Sequence, residues 1–299
     1  MATGGQERVE VRVDDRTLSL SNLDKVLWPE AGFTKGQLID YYSRIAEVMV
    51  PHVARRPMTL RRWPNGVKGQ SFFEKNCPSH HPPWVESVQM GDVRYCTLDE
   101  PAALVWVANL AAIELHPSLA RAPDLEVPTA VVFDLDPGAP ADILTCARVG
   151  FILRSALERL GLETWPKTSG SKGLQIYAPL NSGARYDRVK PFAQAVAQLL
   201  ERDHPDLVVS NMEKAIRKDK VLIDWSQNTA SKTTVSVYSI RALDRPSVST
   251  PVTWDELDAA LSAADPSMLR FGPDEVLARV EELGDLHAPV VERRQELPV

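Results

Sequence analysis

The segment VVFDLDPG, residues 131–138, constrains the fold more than any other part of the chain. Its apolar residues are mostly β-branched or aromatic and a Pro-Gly turn follows them, which predicts a buried strand. Two carboxylates, Asp134 and Asp136, lie at the end of this strand. A buried carboxylate is costly unless a positive group meets it. The chain must therefore supply a covered sheet and a positive partner at this point.

The composition fits a globular protein with a sizeable core, because 44% of the 299 residues are hydrophobic and 25% are charged. No apolar run reaches the length of a membrane span, and the N-terminus lacks the layout of a signal peptide, so we expect no membrane partner. The cysteines Cys77, Cys96 and Cys146 are odd in number and unrelated in spacing. We therefore expect no disulfide framework and a reducing cytosol.

The net charge of −6 is unevenly distributed. Acidic residues concentrate after residue 252, whereas residues 52–75 carry a positive stripe whose one acid is Glu74. The bases of this stripe are Arg55, Arg56, Arg61, Arg62, Lys68 and Lys75. A local positive stripe predicts phosphate binding better than the whole-chain charge does. Solvated surface arginines are the alternative interpretation.

Hydrophobic periodicity and end signals predict mixed strands and helices without a regular βαβ repeat. Helices are predicted at 34–49, where Thr34 and Gln37 form a capping box, and at 102–115, 142–160, 187–202, 253–263 and 273–283. Strands are predicted in TLSLS, VVFDL, LQIYAPL, KVLIDWS and TTVSVYS, and residues 62–83 are predicted to be mostly loop. This mixture favours an α+β core of one or two sheets flanked by helices.

Asp134 and Asp136 are two residues apart on a strand and therefore project from the same face. Such a pair repels itself, and a divalent cation such as Mg²⁺ or Mn²⁺ removes that cost. Asp224 interrupts the apolar strand VLIDWS. If the two strands are neighbours, three carboxylates converge as in two-metal sites. The alternatives are an Asp pair that caps the Pro137-Gly138 turn, and an edge aspartate at 224.

The segment TSGSKGLQIYAPL places Ser169 and Lys172 in a small-residue turn before a strand. Such a turn lets backbone N–H groups approach a phosphate while the lysine adds a charge. It is not a Walker loop, and a plain turn remains the alternative. Arg241, after TTVSVYS, is a candidate second cation for a polyphosphate.

Phe72 and Phe73 lie in the polar segment GQSFFEKN between basic residues. Exposed aromatic rings beside cations suit base stacking, whereas two rings that anchor a loop in the core are the alternative. His116 ends the apolar run before Pro117 and is interpreted as a cap in isolation.

The ordered set FFEK, FDLDPG, TSGSKGL and DWSQN resembles the polymerase domain of bacterial ligase D, the end-joining branch of the archaeo-eukaryotic primase superfamily. The segments DKVLWP, YYSRIAEVM, RRWPNGV and SKTT extend the resemblance over residues 18–290 or so. It implies two β-sheets flanked by helices, with the active site in a cleft between them. It also implies one catalytic domain over 18–299, ending in an acidic helical segment, after an N-terminal extension at 1–17. The sequence holds no ligase or nuclease segment, so we expect an excised domain or a stand-alone relative.

The resemblance implies a template-directed nucleotidyltransferase that extends 3′ ends with NTP or dNTP, with a preference for ribonucleotides. It assigns two Mn²⁺ or Mg²⁺ ions to Asp134, Asp136 and Asp224. It assigns the incoming nucleotide to His116, Ser169, Lys172 and Arg241. It assigns DNA binding to six residues, Asn22, Lys25, Lys35, Phe72, Phe73 and Arg217. The first three are expected to hold a 5′-phosphate.

The implied partners are DNA with gaps or broken ends bearing a 5′-phosphate, Ku and a DNA ligase, in the bacterial cytoplasm at the nucleoid. Gln175 departs from the histidine common in the family at this position, so triphosphate affinity or its pH dependence is expected to differ.

Three other interpretations compete with this one. A primase of the same superfamily is the nearest. FDLDPG also resembles the D-x-D signature of haloacid-dehalogenase-type phosphatases, although the later acidic pair of that family is missing. The third is a DNA-end-binding scaffold that has lost catalysis, which the intact acid trio disfavours.

Overall fold

The computed structural model describes residues 8–298 of the chain. The strands of this part are β1 (Arg8–Val13), β2 (Arg16–Ser21), β3 (Val26–Trp28), β4 (Phe33–Thr34), β5 (Met58–Arg62), β6 (Phe72–Glu74), β7 (Ser87–Met90), β8 (Val93–Cys96), β9 (Ala112–Pro117), β10 (Ala120–Arg121), β11 (Asp124–Pro128), β12 (Ala130–Pro137), β13 (Trp165–Thr168), β14 (Leu174–Pro179), β15 (Val208–Val209), β16 (Val221–Asp224), β17 (Ile240–Ala242) and β18 (Pro246–Val248). Its helices are α1 (Lys35–Arg44), α2 (Ala46–Val53), α3 (Pro101–Asn109), α4 (Ile143–Arg159), α5 (Tyr186–Asp203), α6 (Trp254–Ala263), α7 (Pro273–Leu283) and α8 (Ala288–Glu292).

The central sheet has the strand order β13-β14-β12-β16-β15. All neighbours are antiparallel except β15 and β16, which are parallel. Strand β12 lies in the middle because both of its faces are apolar over most of its length. On one face Val131, Phe133 and Leu135 are fully buried in the main core, to which helices α4 and α5 contribute. The opposite face holds Ala130 and Val132 and continues to Asp134 and Asp136, so the sheet itself determines which way the carboxylates point.

The second sheet is built around β5, which pairs with β6, β8 and β9, while β7 pairs with β8. Helices α1, α2 and α3 pack together against this half of the molecule. One continuous cluster of buried side chains connects it to the central sheet. The architecture confirms the predicted α+β class. Within residues 8–298, the helices are all too short or too polar to cross a bilayer.

The run 102–115, predicted as one buried helix, is instead α3 followed by strand β9. The helix ends at Asn109, and Ala111 adopts a left-handed conformation with φ of 57° that redirects the chain. Residues 112–117 then pair with β5. A run that is apolar on all sides cannot distinguish a buried helix from a buried strand, which explains the wrong prediction. His116 therefore lies on a strand and does not cap a helix.

The strand prediction for TTVSVYS was also wrong. Residues 233–239 make one isolated bridge, between Thr233 and Ser118, and otherwise run irregularly between the two sheets. Their backbone is held by single bonds, such as the one from Ser236 N to Leu115 O of 2.8 Å. Residues 234–239 are all buried, so this segment is a covered connection between the sheets and not a strand of either one.

Two further expectations need correction. The helical run 34–49 is divided at Ile45, where α1 ends and α2 begins, although the Thr34–Gln37 capping box is confirmed.

Cys77 and Cys96, whose Cα atoms lie 4.7 Å apart, form a disulfide, and Cys146 is buried and free. The spacing of 19 residues gave no sign of this pairing, because strand β8 brings Cys96 beside the segment after β6. The predicted N-terminal extension includes β1, which pairs with β2.

Candidate active site

The predicted acid trio lies on two neighbouring strands of the central sheet. Asp134 of β12 is directly opposite Asp224 of β16, and Asp136 follows two residues later on β12. Residues that are opposite each other in an antiparallel pair share one face, as do residues two apart on a strand. The pairing of these two strands, which the sequence left open, is therefore present.

The two carboxylates of β12 occupy an unfavourable electrostatic environment. Burial, and then the charge of Asp136, raise the pKa of Asp134 to about 7, although a hydrogen bond of 3.1 Å from Gln175 Nε2 opposes the shift. Burial and the charge of Asp224 likewise raise the pKa of Asp136. Among the described residues, neither carboxylate forms an ion pair. This deficit of positive charge favours a bound cation.

Asp224 is engaged with its own turn. Its Oδ1 accepts from Ser226 N at 2.9 Å and from Ser226 Oγ at 2.5 Å, and its Oδ2 accepts from Gln227 Nε2 at 2.8 Å. Consistent with this, no three His, Cys, Asp or Glu side chains between residues 8 and 298 are arranged around one metal position. The hard oxygen donors of Asp134 and Asp136 therefore fit a divalent cation, whereas both carboxylate oxygens of Asp224 already accept hydrogen bonds from Ser226 and Gln227.

A cleft of about 290 Å³ opens in front of Asp134 and Asp136. Its walls come from both halves of the molecule, because His116 belongs to β9 of the second sheet, and Arg241 belongs to β17. The remaining polar lining includes Ser169, Lys172 and Gln175. The structure thus brings together the predicted nucleotide-binding residues and two of the three predicted metal ligands.

The loop 169–173 forms a compact turn with inward-directed amides. Ser169 Oγ accepts from the N–H groups of Ser171 at 3.2 Å and Gly173 at 3.1 Å. Gly170 has a φ of 67°, and a Cβ there would lie 2.7 Å from the backbone nitrogen of Ser249. Glycine is therefore required at this position. Lys172 is exposed at the mouth of the cleft, which leaves its ammonium group available to an anion.

Sequence reasoning missed Glu114, the acidic residue in AALVWVANLAAIEL. Its side chain lies in β9 opposite Arg61 of β5 and is 2% exposed. Its carboxylate contacts Arg61, His116 and Arg241. A charged residue within an otherwise apolar run was the available signal, since buried acids are paired.

Phe72 and Phe73 are 42% and 59% exposed on the edge strand β6, so the alternative that they anchor a loop in the core is wrong. The guanidinium of Arg62 lies 5.3 Å from the Phe72 ring centre, and that of Arg61 lies 5.1 Å from the Phe73 ring centre. The Phe73 ring is 6.0 Å from the ring of His116, which places the aromatic pair beside the cleft.

A second basic site lies at the start of α1. Asn22 has a φ of 55°, and its carbonyl accepts from Lys25 N at 3.1 Å, while the Lys35 backbone N–H donates to the Lys25 carbonyl at 2.8 Å. Lys35 is 5% exposed, and its Nζ donates to Ser21 O at 2.5 Å. Burial and the neighbouring charge of Lys25 lower the pKa of Lys35 to about 8. Two adjacent lysines at a helix N-terminus suit a phosphate group.

Arg217 follows a short 3₁₀ turn, Lys214–Ile216, beside the Pro137-Gly138 turn. Its guanidinium donates to the carbonyl of Met212, and its charge partly opposes the upward shift in the pKa of Asp136 that burial and Asp224 cause. A Cβ at Gly138 would collide with the Arg217 carbonyl, so this close approach requires glycine. The exposed residues around Arg217 include Lys214 and Lys218.

Residues 34–287 match the family model described as LigD, primase-polymerase domain. The multifunctional non-homologous end joining protein LigD of Mycolicibacterium smegmatis is 43% identical over 292 residues, which are 96% of this chain and 37% of that protein. The corresponding LigD repair protein of Mycobacterium tuberculosis H37Rv is 41% identical over 297 residues, covering 93% of this chain and 38% of that protein. The chain thus spans less than two fifths of these relatives.

The solved polymerase domain of Mycobacterium tuberculosis ligase D, in complex with DNA, has the same fold. The two structures superpose with a TM-score of 0.86 at 41% identity, and the match covers 93% of this chain and 99% of that domain.

Proposed function

This chain belongs to the LigD primase-polymerase family, and on that premise we propose that it is a template-directed nucleotidyltransferase that adds nucleotides to 3′ ends during DNA end joining. The observation that carries this proposal is the juxtaposition of the Asp134–Asp136 pair with the 169–173 loop across one cleft. An unpaired acidic surface that faces donor groups suits a metal–triphosphate complex.

Asp134 and Asp136 would hold the cations, two Mn²⁺ or Mg²⁺ ions, and Asp224 would complete the set once released from Ser226 and Gln227. When bound, such ions activate an attacking hydroxyl and neutralise charge on the phosphates. Hard oxygen donors are compatible with either ion.

The chain's own residues orient the nucleotide. The hydroxyls of the 169–173 loop would donate to phosphate oxygens, with Lys172 and Arg241 adding positive charge on two sides of the cleft. His116, on the wall toward Phe73, would contact the sugar. Nucleotide addition is phosphoryl transfer, in which positioning and charge stabilisation supply most of the catalysis.

DNA would approach from the side of the second sheet. The exposed rings of Phe72 and Phe73 would stack on template bases. Asn22, Lys25 and Lys35 would hold the 5′-phosphate of a downstream strand, and Arg217 would contact a second DNA end. The adjacency of Lys25 and Lys35 supports the phosphate assignment, because their mutual repulsion falls when an anion binds.

We place this activity in short-gap filling before ligation, in end joining or excision repair, with ribonucleotides preferred over deoxynucleotides. Ku and a DNA ligase are the proposed partners, in the bacterial cytoplasm at the nucleoid. Family membership sets aside the phosphatase interpretation and leaves priming as the competing activity.

The decisive experiment compares incorporation of NTP and dNTP on gapped, tailed and unprimed templates with Mn²⁺ or Mg²⁺. We expect extension of gapped templates, with more product from NTP and when the gap carries a 5′-phosphate. Product on unprimed templates would favour a primase. No product on any template would refute the nucleotidyltransferase assignment. Asp258→Asn, at an exposed position of α6, is the control for a carboxylate change outside the cleft.

A further inference from the structure

Glu114 has no role in the function proposed above, yet it contacts several residues that do. Each carboxylate oxygen serves two neighbours. Oε1 accepts from Arg241 Nε at 3.1 Å and from Ala242 N at 3.2 Å. Oε2 is 3.1 Å from His116 Nε2 and accepts from Arg61 Nη1 at 3.4 Å. Both carboxylate oxygens of Glu114 are therefore hydrogen-bonded, although the side chain is almost entirely buried.

The ionised state of Glu114 is well stabilised. Burial alone would raise its pKa, but the hydrogen bond with His116 and the charge of Arg241 lower the pKa to about 2. An ionised carboxylate can only accept hydrogen bonds. The hydrogen between the two side chains must therefore belong to Nε2 of His116.

The tautomer of His116 follows from this contact. Burial lowers the pKa of His116, and Arg241 and Arg61 lower it further, although Glu114 opposes them. A neutral ring with its hydrogen on Nε2 has a lone pair on Nδ1. Among the described residues, His116 makes no other side-chain hydrogen bond than the one to Glu114. Its Nδ1 is therefore an available acceptor on a ring that lines the cleft.

The same carboxylate connects the two other walls of the cleft. Arg241, bonded through Nε to Glu114, donates from Nη1 to the Ser169 carbonyl at 2.7 Å and so holds the small-residue loop. The guanidinium of Arg61 lies 4.6 Å from the ring centre of Trp63 and 5.1 Å from that of Phe73. One buried acid thus contacts the arginine beside the exposed rings, the arginine behind the loop and the histidine between them.

We propose that Glu114 is a positioning residue that fixes the hydrogen of His116 on Nε2, so that Nδ1 of His116 accepts a hydrogen bond from a sugar hydroxyl of the incoming nucleotide. The other carboxylate oxygen of Glu114 orients Arg241 toward the 169–173 loop. The inference rests on the proposed function, because it assumes that a nucleotide occupies the cleft. It assigns to the chain a requirement for a hydroxyl donor on the substrate's sugar.

The first test needs neither a nucleotide nor activity. The intact protein, with its six histidines labelled with ¹⁵N, is examined near neutral pH by long-range ¹H–¹⁵N correlation, and His116→Gln identifies the His116 signals. We expect a neutral ring with its hydrogen on Nε2. A ring with its hydrogen on Nδ1, or a doubly protonated ring, would overturn the inference.

The second test uses Glu114→Gln, whose amide can donate to His116 and so reverse the tautomer. The measured quantity is the ratio of kcat/KM for a ribonucleotide to that for its 2′,3′-dideoxy analogue, in single-nucleotide addition at a gap. We expect this ratio to fall about tenfold, the effect of losing one hydrogen bond in a buried site. A merely structural defect would lower both rates and leave their ratio unchanged.

Glu126→Gln is the matched control, because Glu126 is exposed on β11. It should leave the ratio and the His116 tautomer as they are in the wild type. A folded Glu114→Gln protein with an unchanged ratio would overturn the inference. A wild-type protein that adds no nucleotide, but shows His116 with its hydrogen on Nε2, would instead refute the proposed function.

Discussion

Asp134 and Asp224 are directly opposite each other on antiparallel strands, yet their carboxylates have different partners. Asp134 receives one amide hydrogen bond from Gln175, whereas Asp224 is satisfied by Ser226 and Gln227. In the described structure one carboxylate thus accepts a single hydrogen bond, whereas both oxygens of the other are occupied.

This relationship predicts the effect of Asp224→Ala. We expect nucleotide incorporation to be abolished, since the set of cation ligands is then incomplete, while DNA binding is largely retained because the proposed DNA contacts lie on other elements. Primer extension with Mn²⁺ measures the first, and fluorescence anisotropy with gapped DNA measures the second. Full incorporation by this variant would refute the metal assignment.

The raised pKa of Asp134 predicts how stability depends on pH in the metal-free protein. Its pKa is about 7 in the folded state against an ordinary value of 3.8, so the folded state binds more protons between these values. Proton binding by Asp134 therefore contributes to the free energy of unfolding. This contribution is fully present below pH 3.8 and is lost as the pH rises through about 7. Asp134→Asn removes this loss, and its Tm at pH 8 should exceed that of the wild type by roughly 2–4 °C for each kcal/mol recovered.

The measurement is thermal unfolding in a chelator at several pH values from 5.5 to about 8.5, within the range in which Asp134 titrates. We expect parallel Tm profiles for the wild type and Asp258→Asn, and a flatter profile for Asp134→Asn. Identical slopes for the wild type and Asp134→Asn would show that this carboxylate is not destabilised. Added Mn²⁺ should raise the Tm of the wild type more than that of Asp134→Asn, since a ligand that binds the folded state stabilises it.

The lowered pKa of Lys35 predicts that recognition of a 5′-phosphate is sensitive to pH. Lys35 loses its charge as the pH rises through about 8, because burial and Lys25 disfavour the charged form. The advantage of gapped DNA with a 5′-phosphate over the same DNA without it should therefore shrink between pH 7 and pH 9 or so. Binding of both DNAs is measured by anisotropy at constant ionic strength.

Two variants separate this effect from general electrostatics. Lys35→Arg keeps its charge over this range and should retain the phosphate advantage at the higher pH. Lys25→Glu should weaken binding to the phosphorylated DNA more than to the unphosphorylated DNA. Equal losses on both DNAs would remove the assignment of this site to the 5′-phosphate.

The sequence predicted the elements that have clear ends or clear periods. Helix α4 matches its prediction because Asp142 caps it and Gly161 follows it, and the central strand β12 matches because its apolar run is short and ends in Pro-Gly. The strand β9, which carries His116, was not predicted because it continues an apolar run that begins in α3. Such a run reports burial, and burial alone does not determine whether the backbone pairs with itself or with a neighbour.

The candidate site shows the same limit at the level of side chains. Residue types and spacing predicted that Asp134 and Asp136 share a face and that Arg241 is a second cation, and the resemblance supplied the role of His116. Neither could reveal Glu114 as their common contact, because that contact depends on the register of β9 against β5 and on the position of β17. The Cys77–Cys96 bond was missed for the same reason, since strand pairing and not sequence spacing brings the sulfurs together.

The exposure of Phe73 predicts a loss of template binding without a loss of stability. Its ring is 59% exposed on an edge strand, so Phe73→Ala removes little buried surface and should leave the Tm nearly unchanged. Stacking on a base is worth about 1–3 kcal/mol, so affinity for a gapped or overhanging template should fall roughly 5- to 150-fold. Leu199→Ala is the control, because Leu199 is an apolar residue of α5 that is 38% exposed. If Phe73→Ala binds template as the wild type does, or if Leu199→Ala weakens binding equally, the ring does not stack on the template.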